Sequence, residues 1–174
     1  MRLRPLDDGF LDLAAAWTQD AENAKWLRFA PGLSSLTATA LRLMRQREIH
    51  RLRIFGPDTA APAGLVALSD IDRDFGTASL WYVLGDKRLR GQGYTSRAVG
   101  ALLDEAFDEL SLGAVTAWAV DGNAASMRVL ERNGFRPAGR HRRCHLVDGV
   151  ARDRLLYDRL ATDEPDQHVC GRDP

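Results

Sequence analysis

Cysteine is scarce: Cys144 and Cys170 are the only two in 174 residues, and the second lies in a polar C-terminal stretch. So few thiols exclude a disulfide framework, and both are expected to be free in a reducing compartment, the cytoplasm by default. Hydrophobic runs are short. None approaches the ~18 residues of a membrane span, and the opening MRLRPLDDGF puts acids where a signal peptide would need its apolar stretch, so no membrane partner is expected. Net charge is also missing, because 24 basic residues cancel 24 acidic ones. Bulk attraction to nucleic acid is therefore not expected, and an anion site must come from local clustering. There is no internal repeat, and His50, His141, His145 and His168 have no metal-ligand spacing with each other or with the cysteines, so no metal is expected. What remains is ordinary globular usage, 45% apolar and 28% charged, which excludes collagen-like, coiled-coil and wholly disordered chains. At ~150 residues per domain the chain reads as one domain over residues 1–161, and the aperiodic residues 162–174 read as a disordered tail.

The pattern along the chain predicts a mixed α/β fold. Residues 1–6 alternate as a short edge strand, Asp7 or Asp8 can cap a helix through about Thr18, and a second helical pattern runs from about Ser35. Between them Trp26 and Phe29, near a Pro31-Gly32 turn, are either packing residues or a substrate wall. Residues 51–56, 63–70 and 77–84 read as a three-strand meander. Residues 94–110 carry one apolar stripe at helical spacing, and the apolar 114–120 follows as a buried strand, which implies a parallel strand-helix-strand crossover. A helix over 123–133 ends in Asn133-Gly134, and two further strands, about 136–147 and 151–160, flank Asp148-Gly149 as a hairpin.

The chemistry concentrates in GDKRLRGQGYTSRA, where Lys87, Arg88, Arg90 and Arg97 occur without an acid between residues 87 and 97. Gly91 and Gly93 let backbone amides turn inward, and the helix that follows adds free N–H groups and the positive end of its dipole. The segment is either a phosphate cradle or a glycine turn with solvated charges. It is not a kinase-type P-loop, and Ser96 stands where the dinucleotide fingerprint needs its third glycine.

RGQGYTSRA resembles the central acyl-CoA motif Q/R-x-x-G-x-G/A of the GCN5-related N-acetyltransferases (GNAT), with Arg90, Gly91, Gln92, Gly93 and Tyr94 in register and Thr95 in place of the usual small residue. DGNAASMRVLERNGF is similar to the N-x-x-S…G-F signature of the RimJ/RimL-like branch. The resemblance covers roughly residues 1–160 and is densest over 78–135. It implies an α+β fold: a mixed, mostly antiparallel sheet of six to seven strands, about four flanking helices, and one parallel crossover at the cofactor site. It implies acetyl-CoA as the acyl donor, with backbone groups of Tyr82, Val83 and Leu84 on the pantetheine arm and the Arg90–Thr95 loop on the pyrophosphate. Asn123 is then a cofactor contact or a helix cap, Ser126 a catalytic hydroxyl or a solvated one, and Trp118 and Val120 gap-lining or packing residues. Asp70 and Asp72, in SDIDRD, are the candidate bases by analogy, Asp72 foremost, or else turn residues. The tyrosine that many relatives use as a general acid is replaced by Leu130.

Cys144 sits between Arg143 and His145 on a predicted strand, where neighbours point to opposite faces, so a Cys-His nucleophile is not expected. The basic run 136–143 is read as a solvated edge strand, or as a receptor for an acidic substrate. The acceptor is expected to be a small-molecule amine or a protein N-terminus, contacted by the first two helices, the Pro31-Gly32 loop and the Asp148-Gly149 hairpin. A homodimer through an edge strand is plausible. The alternatives are a longer acyl-CoA donor on the same fold, or a CoA-binding module without catalysis.

Overall fold

The computed structural model describes residues 3–57 and 61–163. Seven strands form one sheet in the order β1-β2-β3-β4-β5-β7-β6. They are β1 (Arg4–Pro5), β2 (Arg51–Phe55), β3 (Gly64–Asp72), β4 (Thr77–Leu84), β5 (Ala114–Val120), β6 (Arg136–Val147) and β7 (Val150–Leu160). Every neighbouring pair is antiparallel except β4 and β5, so the mixed, mostly antiparallel sheet with one crossover is as expected.

Five α-helices flank it: α1 (Leu11–Gln19), α2 (Ala21–Ala24), α3 (Ala38–Arg45), α4 (Tyr94–Asp104) and α5 (Ala124–Arg132). The expected helix after Ser35 begins at Ala38 because the Thr37 hydroxyl takes the amide of Ala40 at 3.1 Å and fixes the start there. The single-turn α2 was not anticipated. Its sequence signal is Asp20, whose carboxylate accepts the amides of Glu22 and Asn23. The apolar stripe of α4 runs on as expected, but residues Glu105–Glu109 widen into a π-helical turn in which the amide of Leu110 reaches the carbonyl of Glu105 at 3.0 Å. At the far end Asp148 (φ +50°) and Gly149 (φ +78°) make the two-residue turn that joins β6 to β7, which any right-twisted hairpin favours.

The alternation of the central strands divides the interior in two. On β4, Leu80 and Tyr82 face the layer of α4 and α5, while Trp81 and Val83 face that of α1 and α3. Leu102, Val99 and Leu130 are buried in the first layer, Leu11 and Leu41 in the second. Of the expected polar tail, Asp163 is tied back, its carboxylate accepting the amide of Leu160 at 2.9 Å, and residues 164–174 lie outside the described residues.

Candidate active site

The two parallel strands stay paired for only three residues, Thr77, Ala78 and Ser79 against Ala114, Val115 and Thr116. Beyond them β4 keeps β3 as its partner and β5 keeps β7, so the backbones part and leave unpaired edges facing each other. A cavity of about 560 Å³ fills this wedge. The second half of β4, the loop from Lys87 to Gly93, the start of α4, the face of α5 around Ser126, and α2 line it.

One end is built for an anion. Gly91 and Gly93 have φ of +77° and +76°, a conformation that side chains rarely adopt, and Gly93 is the N-cap of α4. The first-turn amides of the helix therefore point into the mouth of the wedge without a capping side chain. A Cβ at Gly93 would also meet Arg97 Nη1 at 3.3 Å, a contact that the flexible arginine can relieve, so the positive φ is what holds the position to glycine. Lys87, Arg90, Arg128 and Arg132 stand around this end. Arg90 is ion-paired with Glu22 of α2, and Lys87 lies 3.7 Å from Asp20 and hydrogen-bonds Asn23. Burial draws the Lys87 ammonium below the usual lysine range, against the opposing pull of Asp20. Asn23 in turn donates to the carbonyl of Leu84 at 3.3 Å, tying α2 to the end of β4.

Deeper in the wedge two hydroxyls meet. Tyr82 Oη lies 2.7 Å from Ser126 Oγ and donates to the Ser126 carbonyl at 3.1 Å. Burial pushes the phenol well above its ordinary value, with the Ser126 hydrogen bond opposing, so Tyr82 stays protonated through the neutral range. Asn123 caps α5 by accepting the amide of Ser126 at 3.2 Å, and it also lines the wedge. On the other face of the sheet Trp81 and Trp118 form the walls, under a crossing segment that carries Trp26 and Leu27. Phe29 packs edge-on against Trp81, 4.9 Å between centroids, and the Lys25 carbonyl is 2.8 Å from His145 Nε2.

Of the expected site residues, the fold brings Tyr82, Val83, Leu84, Arg90, Gly91, Gly93, Tyr94, Thr95, Asn123 and Ser126 to one cavity. Gln92 is not on its wall, since its amide nitrogen turns back to the Arg88 carbonyl at 3.0 Å. Asp72 needs correction. Because β3 runs antiparallel to β4, its last residues meet the first ones of β4, and Asp72 pairs with Thr77 at the closed end of the sheet. There its carboxylate accepts the amides of Asp74 and Phe75, both at 2.9 Å, as a turn residue. Asp70 is exposed in the adjoining irregularity with φ +52°. Leu130 is fully buried in the core and is absent from the wall, as is Val120. Sequence reasoning missed Glu22 and Asn23, because it missed α2.

The comparisons with known proteins agree with this geometry. The family model described as the acetyltransferase (GNAT) domain matches residues 1–136, so the chain belongs to the GNAT acetyltransferase family. Members of this family use acetyl-CoA to acetylate amines, and the chain is an acyltransferase of that type. The probable N-acetyltransferase YjcK of Bacillus subtilis (strain 168) is 36% identical over 127 residues, which is 71% of this chain and 67% of that protein. Among solved structures, the spermidine N-acetyltransferase of Vibrio cholerae in complex with CoA and spermine superposes with a TM-score of 0.81 at 18% identity, covering 92% of this chain and 95% of that one. The ribosomal-protein-S5-alanine acetyltransferase of Vibrio fischeri gives a TM-score of 0.75 at 21% identity, covering 92% and 93%. Among the described residues no helix is long and apolar enough to cross a membrane.

Proposed function

We propose that this chain, as a single domain over residues 1–161, transfers acetyl from acetyl-CoA to a primary amine by direct attack, with both substrates held in the wedge between β4 and β5. The observation that carries the reading is the three-residue parallel pair that opens onto the left-handed Gly91 and Gly93 turn at the start of an uncapped helix. That arrangement fits an extended thioester arm joined to a pyrophosphate: unpaired strand edges for amide groups of the arm, and free helix amides with Arg90 for the phosphates. Arg128 and Arg132 add positive charge at the same end.

When bound, acetyl-CoA supplies an activated acyl carbon and a thiolate leaving group. No covalent enzyme nucleophile is needed, and Cys144 is exposed on β6. Ser126 Oγ, backed by Tyr82 Oη, is the hydroxyl placed to hydrogen-bond the departing thiolate, and the raised phenol pKa keeps Tyr82 a donor in that pair. Among the described residues Glu22 is the one carboxylate on the wall, and it stands at the phosphate end beside Arg90. The proton of the amine therefore leaves through water rather than through Asp72. The acceptor enters on the face of Trp26, Trp81 and Trp118, as a small-molecule amine or a protein N-terminus in the cytoplasm, and nothing in this reading requires nucleic acid. A homodimer through the edge strand β6 is compatible with it.

The direct test is thermal unfolding with and without acetyl-CoA, followed by thiol release with added amines. A ligand at ~100 times its Kd stabilises the native state by roughly 2.7 kcal/mol, which a melting curve detects. No shift at millimolar acetyl-CoA, together with a shift for a longer acyl-CoA, would assign the wedge to that donor. A shift without thiol release from any amine would leave a CoA-binding module.

A further inference from the structure

The charges around the acceptor side tell what kind of amine belongs there; this inference rests on the acetyltransferase reading of the same cavity and deepens it. Two of the three tryptophans on that side, Trp26 and Trp118, carry a cation against the ring. The Lys25 ammonium lies 5.4 Å from the Trp26 ring centroid, and the Arg154 guanidinium carbon lies 4.2 Å from that of Trp118. Arg28 is exposed on the same crossing segment, three residues beyond Lys25.

The carboxylates that could neutralise this group are few. Lys25 has Asp148 at 3.8 Å. Arg154 is half-buried, yet among the described residues it has no carboxylate within 4.0 Å; its polar partner is His145 Nδ1, at 3.3 Å from a guanidinium nitrogen. Arg28 likewise has no ion pair among the described residues. On the cavity wall itself Glu22 is the one acid among the described residues, and it stands at the phosphate end beside Arg90. An acceptor with several ammonium groups would bring further cations toward Lys25, Arg28 and Arg154, where Asp148 already faces Lys25. An acceptor with a negative group would complete Arg154 and Arg28.

We propose that the acceptor is a primary amine that carries an anionic group, a carboxylate in the first instance, a few bonds from its nitrogen. The anion rests at the Arg154 and Arg28 rim while the amine points into the wedge toward Ser126. The same cations disfavour the ammonium form of the acceptor, raising the fraction of neutral amine without a dedicated base. A polyamine is the wrong chemistry for this site.

The test uses the full chain, saturating acetyl-CoA and thiol release with matched acceptors. Alanine against alaninamide reads an α-carboxylate; Ala-Asp-amide against Ala-Asn-amide reads a side-chain carboxylate beside a peptide N-terminus; spermidine is the polycation. The expected result is an advantage of about tenfold or more in kcat/KM for the anionic member of at least one pair. That advantage should shrink toward unity in Arg154→Gln and with added salt, while the acetyl-CoA thermal shift is unchanged. Arg28→Gln, at an exposed position, should reduce the advantage by a smaller factor and keeps the test usable if Arg154→Gln folds poorly. Equal or faster turnover of spermidine, or of the neutral member in both pairs, overturns the proposal and leaves the acetyltransferase reading standing. Loss of the thermal shift together with thiol release from no amine overturns both.

Discussion

Gly93 is where a single side chain separates the fold from its ligand. Its φ of +76° caps α4 at the mouth of the wedge, and a Cβ there meets Arg97 Nη1 at 3.3 Å. Gly93→Trp is expected to abolish the acetyl-CoA thermal shift while far-UV circular dichroism stays native, since the strain of about 1–2 kcal/mol is local. A mutant that binds acetyl-CoA with wild-type affinity would remove the phosphate assignment. Ser126→Ala tests the other end. It should lower kcat by about 10²-fold with little change in the KM for acetyl-CoA, and Tyr82→Phe should follow in the same direction by a smaller factor. An unchanged kcat in Ser126→Ala would show the hydroxyl pair to be structural. Gly93 and Ser126 were legible as candidates because glycines, a basic loop and a helix cap are local features with a fixed order along the chain, whereas the Tyr82 hydroxyl was not, since its contact with Ser126 joins residues 44 apart. Asp72 was misread for the opposite reason: whether a strand end lies at the open or closed side of a sheet depends on which neighbour is antiparallel, and no local pattern carries that.

Elements with strong periodicity were read within a few residues. The stripe of Val99, Leu102 and Ala106 and the alternation of β4 need only a 3.6-residue or two-residue period to declare themselves. The single turn of α2 has no period to show, and its four residues form a helix because Asp20 caps them and the turn packs beside α1 and the Lys87 loop. The π-helical turn after Asp104 was equally invisible, since one inserted residue in a helical stripe barely shifts the hydrophobic pattern. That turn presents Glu105 to β2. Its carboxylate takes Arg53 Nη2 at 2.9 Å and Arg51 Nη1 at 3.3 Å, with both arginine side chains mostly sheltered. Glu105→Ala should lower the unfolding free energy by about 1–3 kcal/mol, because it takes the carboxylate from the sheltered Arg53 guanidinium and leaves Arg51 with Glu109 alone, at 2.9 Å. Urea unfolding checks this, and a loss under about half a kcal/mol would place the ion pairs with ordinary surface pairs.

Across the whole molecule the sheet behaves as two antiparallel halves joined by three parallel residue pairs, and the crossing segment bridges the halves on the acceptor face. It packs on β4 through Phe29 and Trp81, and it reaches β6 through the Lys25 carbonyl and His145. His145 is 7% exposed. As a neutral ring it donates from Nε2 to Lys25 and accepts from Arg154 at Nδ1. Burial is the leading cause that lowers its pKa, with Arg154 and Arg28 acting the same way, and burial also lowers that of His50 in the opposite half. Both groups then bind fewer protons folded than unfolded once the pH falls below the ordinary histidine value of about 6.5. Their contribution to stability is complete above that pH and is lost as the pH falls through the depressed folded values, with a slope of up to about 1.4 kcal/mol per pH unit for each histidine. Urea unfolding between pH 8 and pH 5 should show a flat upper region and a declining acid limb. The limb should become shallower in His145→Gln, which can still donate to the Lys25 carbonyl but takes up no proton. An acid limb of the same slope in wild type and His145→Gln would mean that the bridge between crossing segment and β6 opens before the protein unfolds, leaving His145 in solvent in the state that titrates.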